Sequence, residues 1–217
     1  MHVATIVTVL CFALPAETPE SSQVQTGTML FSRGDCLAVK VFTGSSVTHV
    51  AIVCHEPEGF YVYDAVPATG VRRQTLDEYL KTIAPDEVRV AHPARSMTEA
   101  ESKQLQEYLN SQIGKPYAVL HHSTGQRCEG VHCAEYLTDS LISIGWLTAK
   151  SPPRVSPGSL LEGVTQSKIY ELGPTWSVAR EEPPPQIGRN CCEQMWIDTK
   201  ECCQGCCNKL SRIFLCR

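Results

Sequence analysis

Runs of β-branched and aromatic residues mark the first half of the chain, and helical spacing takes over in the second. Val47 to Cys54 (VTHVAIVC) and Phe60 to Val66 (FYVYDAV) suit a pleated, half-buried surface and predict two strands. His55-Glu56-Pro57-Glu58-Gly59 between them must turn, so the pair is expected as a hairpin with a loop of moderate length. Upstream, the short apolar runs Met29 to Phe31 and Leu37 to Phe42 are split by the turn signal Arg33-Gly34-Asp35. Val71 and Val88 to Ala91 suggest further strand pieces, with a short helix at Leu76 to Ile83.

Ser96 and Glu99 stand three apart, a capping-box spacing in which each side chain can satisfy an orphan amide at a helix start. Leu105, Tyr108, Leu109 and Ile113 then keep helical spacing up to Gly114, placed as a C-terminal cap. A second helix is expected from Cys133 to Trp146, with Leu137, Leu141 and Ile144 as its apolar stripe and Gly145 as its stop. After the proline-rich SPPRVSPG connection, a helix–strand piece over Leu160 to Leu172 closes the domain. Strands followed by helices, without a repeated βαβ pattern, predict an α+β fold. The expected divisions are a leader and linker at 1–27, the domain at 28–172, a stiff Pro-rich linker at 173–190 and a Cys-rich tail at 191–217.

Composition narrows the function. With 217 residues, 42% hydrophobic and 19% charged, the chain has material for one sizeable core, unlike a disordered protein. No apolar stretch is long enough to span a membrane, and a formal charge of −4 lacks the basic excess of a nucleic-acid binder. Of the 12 cysteines, seven crowd into the tail: Cys191, Cys192, Cys202, Cys203, Cys206, Cys207 and Cys216. Cys11 lies in the leader, and Cys36, Cys54, Cys128 and Cys133 are scattered, so the body is no disulfide scaffold. Val3 to Leu14 has the length of a signal-peptide core with a cleavage point after Ala16, but no Lys or Arg precedes it and Leu14 is a poor match before the cut. The readings are an export signal, with a secreted, periplasmic or membrane-associated protein, or else a partly buried N-terminal segment or a misplaced start codon, with a cytoplasmic one.

Three residues combine into chemistry. Cys133 opens a predicted helix, where unpaired amides and aligned dipoles favour a thiolate. His49 shares one strand face with Ala51 and Val53. If the hairpin pairs Val53 with Phe60, His49 comes to face Asp64 on the same side of the sheet. The carboxylate can then hold one ring nitrogen and leave the other as a base. A one-residue slip would turn Asp64 to the other face. His132 adjoins Cys133 but ranks below His49 as a base, because sequence neighbours diverge in direction. His92, His121 and His122 are read as surface histidines of loops, and Glu135 as a cap or pairing group at the helix start.

Read in order, these residues resemble the permuted papain-like cysteine amidases, the YiiX/YaeF-like group of the NlpC superfamily. The resemblance runs through Gly34-Asp35, Thr48-His49-Val50-Ala51-Ile52-Val53, Asp64-Ala65, Gly114-Lys115-Pro116-Tyr117-Ala118 and Cys133-Ala134-Glu135, with Pro157 to Leu161 as a C-terminal counterpart. The order His, acid, Cys is the permuted one. Three departures stand out: Asp64 where the family commonly has Glu, Ala118 where it has Asp, and Ala134 for Ser.

The resemblance implies an antiparallel sheet packed against helices and a catalytic set of Cys133 as nucleophile, His49 as proton carrier and Asp64 as its orienting acid. It implies a thioester acyl-enzyme, no metal or organic cofactor, and a substrate that is a peptide, an N-acyl amino acid or a lipid-like amide. Acyl transfer of the lecithin retinol acyltransferase kind and a non-catalytic binding protein on the same shell are the alternatives. For the tail, Cys203 and Cys206 form a C-x-x-C, but adjacent cysteines seldom share one tetrahedral ion. Disulfides suit an exported chain; acylation or peripheral membrane contact through the tail suits a cytosolic one; an unstructured extension is the plain alternative.

Overall fold

The computed structural model describes residues 24–33, 37–83, 87–177 and 186–215. The leader, Gly34-Asp35-Cys36 and Cys216 lie outside the described residues. One antiparallel sheet of six strands, in the order β4-β3-β2-β1-β5-β6, organises the domain. Its strands are β1 (Met29–Arg33), β2 (Val47–Glu56), β3 (Gly59–Val66), β4 (Gly70–Thr75), β5 (Glu87–Pro93) and β6 (Tyr170–Ser177). The helices are α1 (Leu37–Thr43), α2 (Leu76–Ile83), α3 (Glu99–Ser111), α4 (His121–Thr124), α5 (Cys133–Ser143), α6 (Pro157–Gln166) and α7 (Cys191–Leu215). A 3₁₀ turn, Pro152–Arg154, precedes α6. The architecture is the expected α+β fold with an antiparallel sheet against helices.

Strand alternation sends side chains into two separate apolar layers. Phe31, Val50, Ile52, Tyr63 and Ala65 join Leu105 and Leu109 of α3, Leu137 and Leu141 of α5 and Leu160 and Val164 of α6. Leu30, Ala51, Val53, Val62, Val88 and Val90 form the other layer with Tyr79 of α2 and Trp176 of β6. A Leu137→Ala change in the fully buried first layer would cost about 2–5 kcal/mol.

Several expectations are corrected. Ordered chain begins before residue 28, since Val24 is buried and Gly27 N–H donates to Val53 O. The domain also runs past residue 172, because β6 carries the fully buried Trp176. Two overlapping S/T-x-x-E boxes compete for the start of α3, and Thr98 with Glu101 wins over Ser96 with Glu99. Glu101 also collects Arg95 and the Trp146 indole N–H, partners that the exposed Glu99 does not gather. α5 stops at Ser143, with Gly145 in the left-handed region just beyond. The hairpin turn is only Pro57-Glu58, so Val53 pairs with Val62 and His55 with Phe60. That register is two residues away from the expected one. Being an even shift, it keeps His49 and Asp64 on one face, as diagonal rather than direct neighbours.

The tail is one helix. Cys191, Cys192, Cys202, Cys203, Cys206 and Cys207 are all exposed on α7, together with Met195, Trp196 and Leu210. Spacings such as Cys192–Trp196, Cys203–Cys207 and Cys206–Leu210 are one helical turn, which gathers the thiols and apolar groups on one side. Among the described residues no helix is long and apolar enough to cross a membrane.

Candidate active site

Cys133 is the first residue of α5, and the chain folds tightly around that helix start. The ring of His132 caps it: Nδ1 accepts the Glu135 N–H at 3.3 Å while Nε2 donates to Pro153 O at 2.9 Å. A side-chain acceptor at this position satisfies an amide that the helix leaves unpaired. Approach to the helix is set by a strap. Val71 N–H donates to Lys115 O and Gly114 N–H to Val71 O, each at 2.9 Å, so Gly114-Lys115-Pro116-Tyr117 is laced to the start of β4. Val131 N–H then donates to Pro116 O at 3.0 Å, two residues before Cys133. Glycine is required where these backbones cross: Gly70 has φ +72°, and a Cβ there would sit 2.0 Å from Lys115 O. At Gly130 the added carbon would meet Pro116 O at 2.7 Å.

His49 lies near the start of β2 with its side chain 15% exposed, and its Nε2 is 3.1 Å from Asp64 Oδ2. An ionised carboxylate only accepts, so Nε2 carries the hydrogen and Nδ1 is the free nitrogen. Asp64 is fully buried. It is gripped from the far side by Arg72, its cross-strand partner, with Nε at 2.8 Å from Oδ1 and Nη2 at 3.2 Å from Oδ2. Burial works against the charged carboxyl, but the bond to His49 and the Arg72 fork hold it below the ordinary carboxylate range. Shorter than Glu, Asp64 nevertheless reaches the ring. Arg72 was not anticipated, although a register for β3 and β4 would have set it opposite Asp64. Tyr79 stacks on His49 with ring centres 6.4 Å apart, and its hydroxyl bonds Ser32 Oγ at 3.2 Å.

Cys133 is buried, and its thiol lies within the electrostatic reach of His49 and His132. Burial opposes the thiolate, but the charge on His49, aided by the neighbouring His132 ring, prevails and brings the thiol down to about 6. Burial likewise opposes the charged ring of His49, yet the Cys133 charge and the Asp64 and Cys133 bonds carry it up to about 10. The two shifts support each other, both toward the thiolate–imidazolium form in which a cysteine is nucleophilic. Cys54, buried in β2, is the opposite case: burial with no cationic partner pushes its thiol up.

Three other histidines are not the surface groups expected. His121 is buried, 6% exposed, with Nε2 at 2.5 Å from Glu135 Oε2. His122 and His92 are half-buried; His122 Nδ1 bonds Pro153 O at 2.9 Å and His92 Nδ1 lies 3.4 Å from Thr28 Oγ1. Glu135 was expected to cap or pair at the helix start, and it does pair, with His121 fourteen residues earlier.

Residues 23–150 match a family described as "Permuted papain-like amidase enzyme, YaeF/YiiX, C92 family". The chain belongs to this family. This permuted papain-like amidase is therefore a cysteine hydrolase of the amidase/peptidase kind, acting on amide-containing substrates. A crystal structure titled "metalloprotein yiiX" from Escherichia coli O157:H7 shares its fold, with a TM-score of 0.55 at 17% identity over 74% of this chain and 99% of that one. Comparison with curated proteins finds no match.

The donor atoms of His121, His132 and Glu135 lie within 4.8 Å of one another, close enough to be considered for an ion. They do not fit one as they stand. His132 spends both nitrogens on the helix cap and Pro153 O, and His121 Nε2 is committed to Glu135. An ion would have to displace Glu135 from His121 and either the Glu135 N–H or Pro153 O from His132 to bind.

Proposed function

We propose that the amidase works through Cys133, His49 and Asp64, cleaving an amide by way of a thioester acyl-enzyme. Cys133 Sγ adds to the carbonyl carbon, and amides at the start of α5 stabilise the developing oxyanion. His49, charged in the resting pair, gives its proton to the leaving nitrogen and then takes one from the water that resolves the thioester. Asp64 holds the ring through Nε2 and fixes which nitrogen faces the sulfur; Arg72 keeps that carboxylate ionised and in place. The observation that carries this reading is the 3.1 Å contact of His49 Nε2 with the buried, Arg72-held Asp64, together with a buried Cys133 at the first residue of α5. Substrates of the proposed class are peptides, N-acyl amino acids or lipid-like amides.

A screen of amide and ester activity-based probes on the intact chain tests this, with adducts mapped by peptide mass spectrometry. A covalent adduct on Cys133, lost in Cys133→Ala and slowed by His49→Ala, is expected. Turnover of a cleaved amide that survives Cys133→Ala would refute the assignment.

A further inference from the structure

Beside the first turn of α5 stands a second thiol–imidazole–carboxylate chain that the amidase reading does not use. Cys128 Sγ lies 3.1 Å from His121 Nδ1, and His121 Nε2 lies 2.5 Å from Glu135 Oε2. The carboxylate is 1% exposed and acts only as an acceptor, so it fixes the hydrogen on Nε2 and leaves the Nδ1 lone pair for the thiol. Arg127 reaches the same carboxylate, with Nη1 at 3.5 Å from Oε1. The thiol end is open. Cys128 is exposed, and with His121 it lines a hollow of about 600 Å³ whose wall includes Tyr117, Val119 and Leu120. Leu120 is 88% exposed and Val119 45%, so apolar surface faces solvent next to a base-assisted sulfur.

A thiol with a positioned base attacks carbonyl carbon, and an apolar wall beside it suits a hydrocarbon chain on that carbonyl. We propose that Cys128 is a second acyl-accepting site, loaded from an acyl thioester whose chain lies in the hollow. Cys128 Sγ bonds to the carbonyl carbon as its proton passes to His121 Nδ1. The tetrahedral centre collapses by breaking the bond to the leaving sulfur, and His121 returns the proton to that thiolate. One thioester replaces another, with no oxidant or reductant. Glu135 is a positioning residue that stabilises the imidazolium formed in between.

The site is tested apart from the amidase reading in full-length Cys133→Ala protein, treated with S-octanoyl-N-acetylcysteamine and mapped by peptide mass spectrometry over time. Octanoylation of Cys128 is expected at least about tenfold faster than that of the exposed Cys202 and Cys203 in the same molecules. Equal rates, or no acyl group on Cys128, overturn the proposal without any further variant. His121→Gln, checked for fold by circular dichroism, is expected to bring Cys128 down to the tail rate; an unchanged rate in a folded protein overturns the role of the base. Leu120→Asp is expected to slow octanoylation several-fold more than acetylation by the S-acetyl analogue, and equal slowing overturns the placement of the chain.

Discussion

Cys133–His49–Asp64 and Cys128–His121–Glu135 contain the same three functional groups, yet they are built in different ways. The first is drawn from three elements far apart in sequence: strand β2, strand β3 and helix α5. Its sulfur is buried, its carboxylate is enclosed, and the arginine fork behind that carboxylate is itself only 21% exposed. The second is assembled within fifteen residues, on a four-residue helix, the loop before α5 and the first turn of α5, and its Arg127 is 56% exposed and mainly held by Asp139. Both carboxylates are buried, so the two sets differ at the sulfur and at the arginine, which are enclosed in the first and open in the second. The enclosed set is drawn toward a charge pair although burial opposes both ions, because each charge favours the other and Asp64 favours the imidazolium. The open set keeps its thiol accessible to a reagent.

The largest test of this contrast is Cys133→Ala, expected to lower amide turnover by at least about 10⁴-fold if the enclosed sulfur is the nucleophile. A loss below tenfold in steady-state assays would move the chemistry elsewhere. Asp64→Asn keeps shape but reverses the hydrogen-bond preference at His49 Nε2, and kcat/KM should fall about 10²- to 10⁴-fold with the fold intact by circular dichroism. Unchanged kcat/KM would remove Asp64 from the mechanism.

The pH–rate profile comes next. Thiolate is lost as pH falls through about 6 and the imidazolium acid as pH rises through about 10, so kcat/KM should be flat between and drop tenfold per unit outside. A single ionisation near 9 would mean that the thiol is not paired.

Stability comparisons are smaller and sharper. Arg72→Ala leaves a buried carboxylate half-compensated and should cost about 2–4 kcal/mol by urea unfolding, whereas Arg127→Ala should cost under about 1 kcal/mol. Because Asp64 is held below its ordinary 3.8, its share of stability is complete above that value and is lost as pH falls. Arg72→Ala should flatten that acid limb while Arg127→Ala leaves it steep. Equal costs for the two arginines would erase the distinction between enclosed and open sites.

Much of the enclosed site was legible because period-two alternation survives errors of even size. The expected hairpin paired Val53 with Phe60, the real one pairs Val53 with Val62, and His49 and Asp64 still share a face. The short helix expected around Leu76 to Ile83 is there, and Thr75 and Glu78 exchange hydrogen bonds at its start. Arg72 was hidden because β4 is short and polar, giving no periodicity to fix its register. His121 and Cys128 were hidden for a deeper reason: their meeting depends on a short helix and an irregular loop, and neither carries a repeating pattern that places a side chain. The competing capping boxes at Ser96 and Thr98 were locally equivalent, and only Arg95 and Trp146, one of them distant in sequence, decide between them.

The crossing of Gly70 beneath Lys115 ties two stretches of chain into a single mechanical unit. Anyone grafting the residue 114–118 segment from another family member, or lengthening the β3–β4 turn to alter selectivity, must transplant both strands of that crossing together. Change one alone, and the distortion is expected to travel through Pro116 to Val131 and displace Cys133.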